Sequence, residues 1–417
     1  MAHTGPALLR SADNFAEALR FRLDPDRLIA EALRFWLDPD RLIAEAQARS
    51  GREFRGREFE PALRVLLEAC EREANLSFLG RVCLRWDILR LLGNVLRVER
   101  AEDDDPAITR QGVIAPIFIT GLPRSGTTFL HTLLAQDPQN CAPLVWQTMQ
   151  PYPGPDDRLR DRRRQRAERE LRLFRRLCPE IGGLHPLAAD IPQECTEITA
   201  HVFQSLRFET VYRVPSYLEW LEARGHIAAF RFHKRFLQHL QAQQDERRWV
   251  LKSPDHVFTL APILAVYPDA RFVFVHREPA AVLASVAKLA CVLRAAFSRR
   301  IDKLAIGAEV SNRWRLGADN ILQAAASLPA HRVLHLRHEE VTTEPLETIA
   351  RVYRHFEIPF TDVARARIAA AVAHSPRGGY DVHLHDPTEF GLDPAALKKV
   401  FAPYVRAFVA HRDSATA

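Results

Sequence analysis

A chain of 417 residues with 47% hydrophobic and 26% charged side chains has ample apolar surface for a core, which excludes global disorder; its length exceeds what one core fills, so a large unit with a smaller companion is expected. The formal charge of +6 is modest for this length and no basic stripe is interleaved with aromatics, which argues against a nucleic-acid binder and leaves room for a small polyanionic ligand. Six scattered cysteines without a C-x-x-C pair signal neither a disulfide framework nor a zinc site, and with no signal-peptide core and no uncharged apolar run of membrane-span length, a cytoplasmic protein is expected.

The first hundred residues read as helices. "EALRFRLDPDRLIA" (17–30) recurs as "EALRFWLDPDRLIA" (31–44), and in each copy an Asp-Pro pair, Asp24-Pro25 and Asp38-Pro39, supplies an N-cap and a first-turn proline, so each copy opens its own short helix. A repeat of 14 residues is close to four helical turns, so the duplication keeps the same apolar face and reads as a structural extension. Residues 61–100 hold apolar side chains at helical spacing, and "AEDDDPAITRQG" after them reads as a linker. A seam near residue 112 follows, dividing the chain into a helical region, 1–112, and an α/β domain, 113–417.

Beyond the seam, the β-branched and aromatic run "IAPIFIT" (114–120) passes into "GLPRSGTT" (121–128) and then into a helical stretch. Gly121 and Gly126 stand where a Walker A loop needs them and Thr128 fills its last place, but Thr127 replaces the lysine. The glycines let successive N–H groups turn inward, and the helix start near Thr127 adds its positive dipole end, so an anion belongs there. Arg124 adds a planar fork suited to phosphate or sulfate oxygens.

The arginine-dense segment 158–177 is helical, and its interspersed glutamates favour a solvated face over contact with a membrane or an anionic substrate. "RWVLKS" (248–253), "RFVFVHR" (271–277) and "RVLHLR" (332–337) are further buried strands, each followed by a helical stretch, which implies a parallel sheet covered on both faces. The second of them ends in His276-Arg277 where a nucleotide triphosphatase carries a magnesium-binding carboxylate. Arg277 and Ser285, just over two helical turns apart, make a second cradle for a phosphate, so the ligand is expected to be phosphorylated at two ends and to have little need of magnesium.

In this order, "GLPRSGTT" after a strand, "LKSPDH" (251–256) and "FVFVHREP" with Ser285 in register resemble the PAPS-dependent sulfotransferases, in particular their bacterial branch, over residues 113 to about 407. The resemblance implies a P-loop-type parallel sheet flanked by helices, with an N-terminal helical extension. It implies that Arg124, Ser125, Gly126, Thr127 and Thr128 hold the 5′-phosphosulfate of PAPS (3′-phosphoadenosine 5′-phosphosulfate) and that Arg277 and Ser285 hold its 3′-phosphate, with no metal required. Lys252, at a strand end, is the candidate to stabilise charge on the leaving oxygen.

The general base is less plain. The family's bacterial members carry Trp-Glu before a P-x-P stretch, whereas here Trp146-Gln147 precedes "PYPGP", and a glutamine cannot take a proton. In "HPLAADIPQECTEITAH" (185–201), which resembles another family segment, Asp190 with Gln193 reads as a helix cap, while Glu194 and Glu197 fall on helical positions able to face a cleft. Glu194 is the preferred base and His256 the second candidate. The acceptor is expected to be a small-molecule or lipid-like hydroxyl in a pocket built from 140–240, where Trp146, Phe203, Phe208, Tyr212, Tyr217 and Trp220 are more often core than lining. Two alternatives stay open: a P-loop kinase-like phosphotransferase, and a catalytically weak homologue that binds PAPS or its product.

Overall fold

The computed structural model describes residues 37–153, 161–374 and 385–410. The first repeat copy lies outside them. In the second, Asp38 accepts the Arg41 N–H at 2.9 Å and opens α1 (Pro39–Ser50), which stops where Gly51 turns left-handed at φ 66°. Two further helices follow, α2 (Glu60–Arg72) and α3 (Phe78–Asp104). The stretch that reads as a linker is thus helix through Asp104, after which Asp105 caps a 3-10 turn over Pro106–Arg110. The acidic run stays helical because its carboxylates are anchored: Glu102 is buried and accepts from Arg55, Arg235 and His239. Leu66, Leu91 and Leu92 of these helices pack in one cluster with Phe118, Phe203, Phe236 and Phe272, so the helical region and the sheet share a core.

The sheet has five parallel strands in the order β2-β3-β1-β4-β5: β1 (Ile117–Gly121), β2 (Asn140–Cys141), β3 (Arg248–Lys252), β4 (Arg271–His276) and β5 (Val333–Arg337). Four of them form where the apolar runs predict strands. The fifth, β2, has only two residues, too few to show a period. Successive side chains point to opposite faces. Ile117, Ile119, Val250, Val273 and Val275 therefore meet Phe129, Leu130 and Leu133 of α4 (Thr127–Leu134) on one face, while Phe118, Leu251, Phe272 and Phe274 join the larger cluster on the other.

Register brings the strand ends level: Ile119 pairs with Lys252, Gly121 with Val275, and His276 with Arg337. Ligands in open parallel sheets bind beyond such carboxyl ends, and here a cleft opens there. Its other walls come from α3, from α5 (Arg163–Leu177), and from α6 (Pro279–Phe297), which is packed on α7 (Lys303–Ser327). By length and hydropathy α6 could cross a membrane, yet Val282, Leu283 and Ala287 are buried in the molecule.

Candidate active site

At the end of β1, Gly121 has φ 138°, and a Cβ there would lie 2.2 Å from the Val275 carbonyl oxygen of β4, so only glycine fits. Arg124 and Gly126 are also left-handed, at φ 63° and 93°. A non-glycine residue in that region costs roughly 1 kcal/mol or more, and the loop is tied to hold it. Ser125 Oγ donates to the Leu122 carbonyl at 2.6 Å, Arg277 Nη1 donates to the Arg124 carbonyl at 2.8 Å, and Arg124 Nη1 donates to the Leu184 carbonyl at 2.7 Å. His338, the first residue after β5, sets Nδ1 3.1 Å from the Ser125 carbonyl. Ser125 is fully buried, so its hydroxyl, expected on the anion, is spent on the loop's own shape. Thr127 and Thr128 open α4 and line the cleft with Arg124 and Gly126.

The end of β3 supplies the second component. Lys252 is 1% exposed; its Nζ donates to Thr128 Oγ1 at 3.1 Å and forms an ion pair with Glu194, which sits at the N-cap of the short helix Cys195–Thr199. Burial pushes the Glu194 carboxyl up, but the Lys252 ammonium bonded to it more than offsets this and holds the group below the usual carboxylate range. Burial pulls His185 down to about 4 and His131 to about 3, so both imidazoles beside the pair are neutral.

His256 does not join them. Ser253 caps a 3-10 turn over Pro254–Phe258 that carries His256 into the core, edge-on to Phe118 at 5.1 Å, and it lies outside the cleft lining. The same turn brings Asp255 to the cleft, where burial raises its carboxyl to about 7 although Arg313 opposes the rise. Gln147 is also outside the lining: its Oε1 accepts the Leu144 N–H at 2.9 Å, capping its own short helix. Asp190 and Gln193 form no cap; Asp190 pairs with Arg164, and Gln193 Oε1 accepts the Glu194 N–H. Glu197 lines the cleft but is held by Arg207 at 2.8 Å.

The third component follows β4. Arg277 and, two turns along α6, Ser285 both line the cleft. Burial and the nearby charge of Arg124 lower the Arg277 pKa, and among the described residues no carboxylate lies within ion-pair range of Arg277. Two guanidinium groups sharing one hollow favour an anion between them.

Arg124, Gly126, Thr127, Thr128, Glu194, Arg277 and Ser285 line one cleft of about 1220 Å³ whose far end is apolar, while Lys252 is buried just behind its wall, bonded to the lining residues Thr128 and Glu194. There Phe174 of α5 stacks on Phe297 of α6 at 6.3 Å and Tyr212 meets the same ring at 5.8 Å, with Val82 and Trp86 of α3 opposite. Phe208 and Tyr212 are lining residues as the sequence window allows, whereas Phe203 and Tyr217 are core, and Trp146 and Trp220 pack elsewhere. Much of the wall comes from 79–90 and 281–314, outside the expected 140–240.

A model of the sulfotransferase family matches residues 116–362. This chain belongs to the sulfotransferase family. The solved sulfotransferase STF1 of Mycobacterium tuberculosis H37Rv superposes with a TM-score of 0.76 at 30% identity, covering 87% of this chain and 98% of that one. Sulfotransferase STF9 of Mycobacterium avium gives 0.79 at 26% identity, covering 89% and 97%. Among curated relatives, the omega-hydroxy-beta-dihydromenaquinone-9 sulfotransferase Stf3 of Mycobacterium bovis is 26% identical over 252 residues, and the match spans 58% of this chain but only 62% of that protein's length.

In this member of the sulfotransferase family His185, Asp255, His338 and the α3 wall also line the cleft, beyond the residues expected from the sequence. His338 had a findable signal, since it directly follows a parallel strand, the place where such sheets present their functional groups. The α3 wall had none, because its cleft-facing residues keep the same helical period as its core-facing ones.

Proposed function

We propose that the protein transfers a sulfuryl group from PAPS to a hydroxyl of a lipid-like or other small apolar acceptor. One observation carries this: a cradle of cations and hydroxyls is joined, through the buried Lys252–Glu194 pair, to an apolar chamber in the same cleft. The cradle suits the donor. Glycines stand where a Cβ would crowd Val275 or His338, and Arg277 faces Arg124 without a carboxylate partner among the described residues. Arg124, Gly126, Thr127 and Thr128 would hold the 5′-phosphosulfate, with Ser125 shaping the loop, and Arg277 and Ser285 would hold the 3′-phosphate. PAPS supplies an activated sulfur and a leaving group that departs as adenosine 3′,5′-bisphosphate.

Lys252 places a cation beside Thr128, where charge on a leaving oxygen would gather, and such preorganised charge lowers the barrier. Glu194 accepts the acceptor's proton. Its lowered pKa keeps it ionised, and the pairing with Lys252 sets its orientation. The protein's own cations serve the role a metal plays in phosphoryl transfer, so the reaction needs no divalent ion in this reading. The relative named for a hydroxyl on a menaquinone chain is of the acceptor class that the chamber suits.

Calorimetric titration in EDTA, paired with transfer of labelled sulfate to a panel of alcohols, tests this. The expected result is binding of adenosine 3′,5′-bisphosphate, no binding of ATP with or without magnesium, and label in an apolar alcohol. Magnesium-dependent ATP binding would establish a kinase instead. Bisphosphate binding with no transfer to any alcohol would leave a binding homologue.

A further inference from the structure

The cleft's apolar end opens between α3 and α5. Glu170 of α5 and Asp87 and Arg90 of α3 line the same cleft, so the two helices border one opening. The rim carries Trp86, 48% exposed, and Leu173, 58% exposed, and both also line the cleft, so apolar side chains reach from solvent into the chamber. Phe78, Val82 and Trp86 recur at four-residue spacing, which puts one apolar stripe along α3. Exposed large apolar side chains that continue a cavity need a covering surface, unlike ones scattered singly.

Next to this rim is the arginine segment. On α5, Arg169, Arg172 and Arg176 are exposed and, spaced three and four apart, form one outward stripe with Leu173 at its edge. The other faces are committed: Leu171 and Phe174 line the cleft, Arg164 pairs with Asp190, and Arg175 pairs with Glu168 at 2.7 Å. Among the described residues no carboxylate lies within ion-pair range of Arg169, Arg172 or Arg176. A solvated helix would intersperse acids on such a stripe, as the order of Glu168 and Glu170 among the arginines suggests from the sequence alone. In the helix the acids face elsewhere, Glu168 to Arg175 and Glu170 toward the cleft, and the stripe keeps its positive charge unbalanced.

We propose that this rim docks on an anionic lipid bilayer, with the α5 arginines at the headgroups and Trp86 and Leu173 in the interface, so that a membrane-resident acceptor enters the chamber without crossing water. Charge chooses this occupant. A bilayer with anionic headgroups offers negative charge above an apolar layer, matching an arginine stripe beside an apolar rim. Tryptophan favours that boundary, and arginine stems lie along apolar surface while their heads reach phosphates. The proposal rests on the acceptor class above, but vesicle binding is read without turnover, and bisphosphate titration of the same preparation checks the active site separately.

Co-sedimentation with vesicles of phosphatidylcholine containing about one third phosphatidylglycerol, against pure phosphatidylcholine, is the test, using the full chain. Wild type is expected to partition onto the anionic vesicles only, and less so as salt rises. The variant R169Q/R172Q/R176Q should lose about a hundredfold in partitioning, near fivefold per arginine. It should keep bisphosphate affinity and turnover on a short soluble alcohol. Trp86→Ala/Leu173→Ala, checked for folding by circular dichroism, should lose the binding that survives high salt. Equal partitioning onto both vesicle types, no partitioning at low salt, or a triple variant that binds like wild type would each overturn the proposal. So would a wild-type dimer in sedimentation equilibrium that Trp86→Ala/Leu173→Ala dissociates, because a second copy would then be the rim's occupant.

Discussion

The two ends of the cleft are built on opposite plans. The donor end comes from strand termini: the loop after β1, Lys252 closing β3, Arg277 after β4 and His338 after β5 lie side by side because the parallel register makes them so. It is polar, backbone-strained and cross-tied, with Arg277 and His338 both bonded to carbonyls of the β1 loop. The acceptor end comes from helices far apart in sequence, such as α3, which ends at Asp104, and α6, which begins at Pro279, and its lining aromatics meet through ring contacts. Recognition of a fixed donor calls for a rigid site held within fractions of an ångström, whereas an apolar wall needs only volume and shape. The first plan therefore predicts sharp effects of substitution, and the second graded ones.

The sharpest effect belongs where the two ends meet. Lys252→Ala should lower kcat by roughly a thousandfold, the scale of losing one preorganised donor at a developing charge, while bisphosphate affinity changes only a few-fold. Single-turnover kinetics with calorimetry on the same protein would show the split. If the affinity collapses and kcat does not, Lys252 belongs to the donor cradle and the division between the two ends is drawn in the wrong place.

A reciprocal pair tests the division itself. Arg277→Ala should weaken bisphosphate binding about ten- to a hundredfold, the worth of a charged hydrogen bond in a partly buried site, with acceptor KM unchanged. Leu293→Trp narrows the apolar chamber. It should raise KM for a bulky acceptor about tenfold over a slender one, and leave bisphosphate affinity alone. Each variant measured against both ligands makes a two-by-two comparison. A Leu293→Trp protein that loses nucleotide as strongly as acceptor would show the ends to be one mechanically coupled site.

The same contrast explains what could be read from the chain alone. The donor end is a local code, since a glycine needed at φ 138°, a threonine at a helix start and an arginine at a strand end each occupy a fixed place in a short segment. Four strands were visible for the same reason, as runs of β-branched and aromatic residues. What was not visible depends on rotation and long-range meeting. His256 and Asp255 are neighbours, and only the 3-10 turn decides that one enters the core and the other the cleft. Helical period shows that α3 has an apolar face but not that part of it borders a cavity. The helical run past residue 100 was hidden because its acids are neutralised by Arg55 and Arg235 from distant segments.

A smaller effect, in pH, separates the two carboxylates near the junction. A general base must be unprotonated, so activity is lost as pH falls through its pKa. Glu194 is held below the usual carboxylate range, so with Glu194 as base kcat/KM should change less than about twofold between pH 7.5 and 5.5. Burial sets Asp255 at about 7, and an acid limb there, removed by Asp255→Asn, would transfer the role to that residue. The pH–rate profile reads the free enzyme, in which the Lys252 pairing that depresses Glu194 is in place.

The smallest effect is expected at Gln147, the position where the family pattern departs. Its side chain accepts the Leu144 N–H at 2.9 Å and stays out of the cleft, so it acts as a helix cap. Glutamate serves that third-position cap as well as glutamine does. Gln147→Glu should therefore fold normally, keep bisphosphate affinity and leave kcat within about twofold, because the new carboxylate would remain bonded to its own helix start. A tenfold rise in kcat would mean that the cap releases a side chain into the cleft during turnover. The proton acceptor would then sit on the 145–149 helix, and Glu194 would be left with the task of orienting Lys252.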